Sequence, residues 1–276
     1  MSECFEYSHG PLTVVQLRAL TDNYVYILKF SETTGAQSSQ VTKSNEVTVV
    51  DPSEAKPVIE FLEKNNLRLK TILCTHHHND HVGGNAELYE KYRCQVICSK
   101  YDQNRVPAAN KTVLDNDVIT ISGHDIHVLN VPGHTLGAVA YYSAALNICF
   151  VGDTLFTFGC GRLFEGTAAQ MYESFQRLKH LSHDLKVYCG HEYTAQNLPF
   201  TFSLREKLKN KIDFNMLDKL RPMFKSKISA GKPTVPSFLG DEIKFNPFMV
   251  AENPDEFATI RSLKDQFRLE PNAALR

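Results

Sequence analysis

A chain of 276 residues with 42% hydrophobic and 22% charged residues has the composition of a soluble globular protein, long enough for one large domain and a smaller one. Its 30 basic and 31 acidic residues leave a formal net charge of −1, without the basic excess of a duplex-binding protein, so no nucleic-acid partner is expected. No run reaches the ~18 apolar residues of a membrane helix, and the opening MSECFEYSHG has neither an apolar core nor an arginine-rich stretch, so no membrane partner and a cytoplasmic location are expected.

Short β-rich runs open the chain. VVQLRAL (14–20), YVYILKF (24–30) and EVTVVDP (46–52) read as strands, with the polar stretch 31–45 as a long hairpin connection. A helix is expected over 53–65, with Val58, Phe61 and Leu62 on one face. TILCTH (71–76) reads as a buried strand that runs straight into a histidine cluster. A helix over 86–92 follows, then strands in QVICS, ITISG, HDIHVLNVP, AVAYYSA and NICFVGD. Thr167 is placed to cap a helix carrying Met171, Phe175, Leu178 and Leu181 at spacings of four, three and three. KVYCGH (186–191) is the last clear strand.

Beyond His191 the pattern turns helical to about Gly231. A Pro- and Gly-punctuated irregular stretch over 233–249 comes next, and then a final helix over 254–269 with Phe257, Ile260, Leu263 and Phe267 along one face. A domain boundary is therefore expected just after His191, giving 1–191 and 192–276. The seven cysteines are odd in number, form no C-x-x-C pair and lie mostly in apolar runs, which points to buried free thiols in a reducing compartment. No coiled coil or exposed apolar helix calls for a second subunit, so a monomer is expected.

Thr75-His76-His77-His78-Asn79-Asp80-His81, followed by a pair of glycines, puts several potential ligands on one short turn at a strand end. Imidazole and carboxylate together suit zinc, iron or manganese. One such septet alone can be a solvated loop. Three further strand ends each deliver one candidate beside a glycine: Gly133-His134-Thr135, Gly152-Asp153-Thr154 and Gly190-His191-Glu192. Each alone is more often an ordinary strand terminus; in order along one chain they form a pattern. No Gly-x-Ser-x-Gly elbow is present, so a serine mechanism is not needed.

The H-x-H-x-D-H pattern within the septet and its downstream partners resemble the metallo-β-lactamase superfamily. The narrower resemblance is to the glyoxalase II (hydroxyacylglutathione hydrolase) family. It rests on LTDNYVYIL (20–28), GDTLFTFGCGRLFEGT (152–167), CGHEYTAQN (189–197), PTVPSFLGDEIKFNPFM (233–249) and RSLKDQF (261–267). The resemblance implies an α/β fold, an αββα sandwich with a C-terminal, mostly helical domain. It implies two divalent metal ions, zinc first and iron or manganese as alternatives. His76, His78 and His134 would hold one ion, and Asp80, His81 and His191 the other, with Asp153 bridging. Asp80 and Asp153 would position a metal-activated hydroxide, since a bound divalent ion lowers the pKa of water toward ~7. His77 and Asn79 stand at variable positions of the pattern.

The activity implied is hydrolysis of S-D-lactoylglutathione and related 2-hydroxyacyl-glutathione thioesters. Arg162, Phe164, Tyr193, Asn197, Arg261 and Lys264 fall at positions of the family that contact substrate. Arg261 and Lys264 lie three apart on a helix and suit the glycine carboxylate of an anionic tripeptide. Outside the family context the same pair reads as a solvated helix face, and Tyr193 and Asn197 as packing or a helix-start turn. The family's G-K-F-Y-E-G reads here Gly161-Arg162-Leu163-Phe164-Glu165-Gly166, with one charge kept in a different geometry and one hydroxyl lost. The alternatives are a glutathione persulfide dioxygenase with a single iron, and a non-catalytic binding protein on a hydrolase scaffold.

Overall fold

The computed structural model describes residues 3–31 and 43–268. The connection expected over 31–45 lies largely outside the described residues, as does the last residue of the helix expected over 254–269. The chain forms two compact units, Met1–Asn130 with Gly137–Gly152, and Val131–Leu136 with Asp153–Arg276.

The first unit holds two sheets. β1 (Cys4–His9), β2 (Leu12–Ala19), β3 (Asn23–Ser31) and β4 (Lys43–Val50) pair antiparallel in sequence order. After α1 (Ala55–Lys64) the chain returns as β5 (Arg68–Leu73). After α2 (Asn79–Val82) and α3 (Asn85–Tyr92) it returns as β6 (Gln95–Ser99), and then as β7 (Lys111–Val113). These three strands extend the sheet in parallel from β4. Parallel strands need crossovers, and α1 and α3 supply two of them on one face. Val58 and Leu62 of α1 and Leu88 of α3 enter one core with Val15, Leu17, Val25, Ile27, Val49, Ile72 and Val96.

The other face is covered as well. β8 (Val118–Ile121), β9 (His124–Asn130), β10 (Val139–Ser143) and β11 (Ile148–Gly152) form an antiparallel run. The Tyr26 and Phe150 rings meet at 5.3 Å, and the Tyr141 hydroxyl donates to the Cys74 carbonyl at 3.1 Å. Burial from both sides explains why β3 is buried along almost its whole length rather than at alternate positions.

β1, β7 and α2 escape the sequence pattern. β1 is a polar edge strand with no buried alternation until His9, and β7 and α2 have only three and four residues. The strand expected over 71–76 ends at Leu73; Cys74 N still donates to Ile97 O of β6, and Thr75 N is taken by the Asp51 carboxylate instead of a neighbouring strand.

In the second unit β12 (Leu155–Phe156) and β13 (Gly159–Cys160) make a small hairpin, and α4 (Ala168–Lys179) follows. Thr167 accepts from Gln170 N and closes a capping box with the Gln170 side chain. Met171, Phe175 and Leu178 are buried, whereas Leu181 lies past the helix end. β14 (Lys186–Cys189), α5 (Thr194–Ser203), α6 (Arg205–Leu208) and α7 (Phe214–Ser229) come next, then β15 (Ser237–Phe238) antiparallel to β14, α8 (Leu239–Phe245) and α9 (Pro254–Gln266).

Two expectations are corrected here. The stretch 233–249 is not irregular throughout, since α8 lies inside it with Leu239, Glu242 and Phe245 buried; Pro236 and Gly240 mask the helix in the sequence. The apolar stripe expected on α9 is also incomplete: Phe257 and Ile260 are buried, but Leu263 is 36% exposed and Arg261 is buried in its stead. Phe257 packs edge-on against Phe175 of α4 at 5.2 Å.

Glu242 is a buried acid with a structural task. Its Oε2 accepts from Phe158 N and Asn246 Nδ2, both at 2.9 Å, and Asn246 Nδ2 also reaches the carbonyls of Phe156 and Gly159. Together they hold the β12–β13 hairpin. Burial pushes the Glu242 carboxyl up from 4.5 to about 7. The folded chain therefore keeps a proton that the unfolded chain loses, and stability declines as pH rises from about 4.5 to about 7. Glu242→Gln is expected to remove about 3 kcal/mol of that decline, at 1.36 kcal/mol per pKa unit. Urea unfolding at stepped pH values measures it, and a variant with the wild-type slope contradicts the assignment.

Candidate active site

The septet turn begins just past β5. His76 and His81 are buried, and His78 and Asp80 are half-buried. The His76 ring lies 4.2 Å from that of His81 and 4.8 Å from that of His78. Ligand atoms of Asp51, His76 and His81 fall within 4.8 Å of one another.

Asp51 has a different part from the histidines. It stands past the end of β4, beside the end of β5, where parallel sheets place their functional groups. Its Oδ1 accepts from Thr75 N at 2.7 Å, and its Oδ2 accepts from Thr75 Oγ1 at 2.6 Å and faces His81 Nδ1 at 3.0 Å. A carboxylate on Nδ1 fixes the His81 tautomer with its proton there and its Nε2 lone pair outward, the arrangement that metal-binding imidazoles use. Thr75 Oγ1 lies 3.1 Å from His76 Nδ1 and does the same service for that ring. Sequence reasoning missed both residues. The signal was present as an acid ending a parallel strand, in EVTVVDP.

Gly152, at the end of β11, has φ +50, and a Cβ there would stand 2.2 Å from Thr75 Oγ1 and 3.4 Å from His76 Nδ1. The glycine of G-D-T is thus required by Thr75, the residue that links Asp51 to His76.

The second unit carries its own convergence. His134, Asp153 and His191 are buried at 4%, 8% and 4% exposure. Asp153 Oδ2 is 3.5 Å from His134 Nε2 and 3.2 Å from His191 Nε2. On its other side the His134 ring meets a carbonyl, with Nδ1 2.8 Å from Arg162 O, so that Nε2 is turned toward the carboxylate. Gly161 allows this approach, since a Cβ there would lie 2.0 Å from Asp153 O and 3.0 Å from His134 Nδ1. Two imidazoles aimed at one buried carboxylate oxygen are a donor set that fits a divalent transition ion.

Beside this group the second unit opens a cleft of ≈ 630 Å³, lined by Phe156, Cys160, Arg162, Tyr193, Gln196, Asn197, Arg261, Lys264, Asp265 and Arg268. It gathers five of the six residues expected at substrate. The sixth, Phe164, is 57% exposed and sets its edge against the His134 ring at 5.2 Å, with the Arg162 guanidinium 5.0 Å from its face. Tyr193 stacks on His191 at 4.7 Å, nearly parallel. Asn197 is 4% exposed and donates to Thr157 O at 3.1 Å, which steadies the hairpin.

Arg261 is buried rather than solvated. It donates to Cys160 O at 2.9 Å and to Asp265 Oδ1 at 2.8 Å. Lys264 donates to Gln196 O at 3.0 Å, and burial, with the neighbouring Arg261 charge, brings its ammonium down to about 8. Burial also pushes the Cys160 thiol up to about 11, against the pull of Arg261, so this cysteine is a poor nucleophile.

Residues 36–191 match the model of the metallo-beta-lactamase superfamily, and residues 192–267 match that of the hydroxyacylglutathione hydrolase C-terminus. A hydroxyacylglutathione hydrolase of Pelagibacter ubique is 41% identical over 91% of this chain and 98% of its own length. One of Rhodospirillum rubrum is 40% identical over 88% and 89%. The chain belongs to the hydroxyacylglutathione hydrolase family.

Solved structures agree on the architecture. ETHE1 from Myxococcus xanthus superposes with a TM-score of 0.61 at 22% identity, covering 95% of this chain and 90% of that one. A metallo-beta-lactamase from Staphylococcus aureus superposes with 0.60 at 18%, covering all of this chain and 69% of that one. At such identities the likeness is one of fold, a mixed α/β metallo-β-lactamase fold with a helical C-terminal region, as expected from the family's motifs. Among the described residues no helix is long and apolar enough to cross a membrane.

Proposed function

We propose that this family member hydrolyses S-D-lactoylglutathione and related 2-hydroxyacyl-glutathione thioesters to the 2-hydroxy acid and glutathione. The observation that carries the reading is the module of residues 192–267, matched to the hydroxyacylglutathione hydrolase C-terminus and joined in one chain to the metal-motif module. The cationic cleft, with Arg162, Arg261, Lys264 and Arg268 on its walls, supports an anionic tripeptide conjugate. On this reading 1–191 carries the chemistry and 192–276 the grip on substrate.

The residues proposed as metal ligands are His76, His78 and His134 for one ion, Asp80, His81 and His191 for a second, and Asp153 between the two. The family pattern and the donor chemistry of each half support this set. Divalent ions there supply acidified water and polarisation of a thioester carbonyl. The chain's part is to hold the imidazoles in one tautomer through Asp51, Thr75 and the Arg162 carbonyl. Asp80 and Asp153 position the attacking oxygen. Zinc is the ion proposed, and elemental analysis distinguishes it from iron and manganese. Seven free cysteines, six of them buried, support a reducing, cytoplasmic setting, and we read the protein as a monomer.

The test is thioester cleavage by metal-loaded protein, followed by thiol release from S-D-lactoylglutathione. Chelation should abolish it and zinc restore it. Oxygen uptake with glutathione persulfide, without thioester cleavage, would select the dioxygenase reading instead. Lys264 adds a pH signature. Its charge is present below about 8 and lost above, so KM for a substrate held by its glycine carboxylate should rise above pH 8, more steeply than kcat changes. Lys264→Arg, charged throughout, should flatten that rise. A wild-type KM that is level from pH 7 to 9 counts against Lys264 as the carboxylate partner.

A further inference from the structure

LTDNYVYIL is a mark of the family in the sequence, yet nothing in the proposed chemistry accounts for it. Its Asn23 opens β3, at the close of the β2–β3 turn, and is 5% exposed. The turn is fastened on both sides: Ala19 pairs with Asn23, and Leu20 N donates to Glu54 Oε1 at 3.0 Å. From this fixed base the Asn23 amide points at Asp80. Its Nδ2 lies 2.9 Å from the Asp80 main-chain carbonyl and 3.2 Å from the carboxylate oxygen Oδ2. The same Oδ2 is 3.7 Å from His81 Nε2.

We propose that Asn23 is a positioning residue for the candidate metal centre: its buried amide fixes the main chain and the carboxylate of Asp80 together, and so sets the affinity of the centre for a divalent cation. The inference rests on the reading of Asp80 as a ligand.

The Asp80 side chain is 42% exposed, so its own packing does not fix the plane of the carboxylate. A donor on one oxygen does, and it also sets the direction of the other oxygen. The carbonyl contact removes the remaining freedom, because the residue is then held by backbone and side chain from one amide group. The chemistry of that donor matters. A lysine here would place a cation against the carboxylate and compete with a metal for it. An aspartate would repel it, and a leucine would supply no donor of its own. A neutral amide orients the carboxylate and leaves its charge intact. Outer partners that orient metal ligands typically govern affinity by about 10- to 100-fold.

The experiment is a double-mutant cycle on metal affinity. Wild type, Asn23→Ala, Asp80→Ala and the double variant are stripped with chelator and titrated with Zn²⁺ against a chromophoric chelator, and thermal unfolding of the metal-free proteins is run in parallel. Asn23→Ala should weaken Zn²⁺ binding by about 10- to 100-fold while the metal-free unfolding midpoint stays near wild type. In the Asp80→Ala background the same change should cost distinctly less, because only the main-chain carbonyl contact is left to lose.

Wild-type Zn²⁺ affinity in Asn23→Ala overturns the proposal, as does a loss of the same size with and without the Asp80 carboxylate. If Asp80→Ala itself binds Zn²⁺ like wild type, the ligand reading of Asp80 has failed and the inference falls with it. If Asp80→Ala is weak and Asn23→Ala is not, only the role of Asn23 is lost. Should Asn23→Ala not fold, Asn23→Leu fills the same space without a donor and carries the same expectations.

Discussion

Asp153→Ala is expected to lose bound divalent metal and thioester hydrolysis together, with activity falling on the order of 10³-fold or more. The reason is local. The Asp153 carboxylate is 8% exposed, and its Oδ2 is the point on which His134 Nε2 and His191 Nε2 converge, at 3.5 and 3.2 Å. Without the carboxylate the two buried imidazoles lose the negative charge they share. A competing account of the same geometry is an ion pair between Asp153 and a protonated histidine, of use only to stability. The two accounts separate cleanly. On the ion-pair account, Asp153→Ala lowers the unfolding temperature and metal content is untouched. On the ligand account, metal content falls in step with activity, and Asp153→Asn, of equal size, fails as well because charge rather than shape is what the site lacks. Full metal content in purified Asp153→Ala would falsify the ligand assignment.

The parts of the molecule legible in the sequence are those where one physical signal dominates. Thr167 announces the start of α4 because a threonine followed three residues later by glutamine satisfies the orphan backbone donors of a helix end. In the first unit β2, β3, β6 and β11 announce themselves by apolar runs that are buried along most of their length. His76, His134, Asp153 and His191 stand out because each follows an apolar strand beside a glycine, or, for His76, directly. What the glycines are for was less visible. Gly152 serves Thr75, and Gly161 serves His134 and the Asp153 carbonyl, through contacts with residues distant in sequence.

Where two signals conflict, the sequence misleads. Pro236 and Gly240 read as loop punctuation, yet α8 starts three residues past the proline and runs through the glycine because Leu239, Glu242 and Phe245 are all buried. Taken without the family pattern, Arg261 reads as a solvated position on a helix face, yet it is buried. The carbonyls of Cys160 and Gly161 and the Asp265 carboxylate accept from its two terminal nitrogens, and of these partners only Asp265, four residues on, lies within RSLKDQF. Asp51 is the most instructive case. In sequence it is an acid before a proline at a strand end. Its meaning appears only when the parallel pairing of β4 with β5 brings it against Thr75 and His81, 24 and 30 residues away.

That position makes Asp51→Asn the second change with a large expected effect: a loss of about 10- to 100-fold in divalent-metal affinity, with the fold retained. The asparagine keeps the shape of the side chain but has one acceptor oxygen in place of two. Both carboxylate oxygens are used in the wild type, Oδ1 by Thr75 N at 2.7 Å and Oδ2 by Thr75 Oγ1 and His81 Nδ1 at 2.6 and 3.0 Å. The backbone N–H of Thr75 cannot turn away, so the remaining oxygen stays there and the amide nitrogen faces His81. A donor opposite Nδ1 favours the imidazole tautomer that carries its proton on Nε2, and a protonated Nε2 cannot bind a metal. Asp-to-Asn exchange behind a catalytic imidazole damages serine hydrolases by the same tautomer error. The measurement is Zn²⁺ affinity by chelator competition, with the His81 tautomer read from imidazole ¹⁵N shifts of the metal-free protein. Unaltered affinity together with a wild-type tautomer would show that Asp51 supports the turn through Thr75 alone. A shifted tautomer with weakened binding ties the acid at the end of β4 to the ligand at the end of the septet.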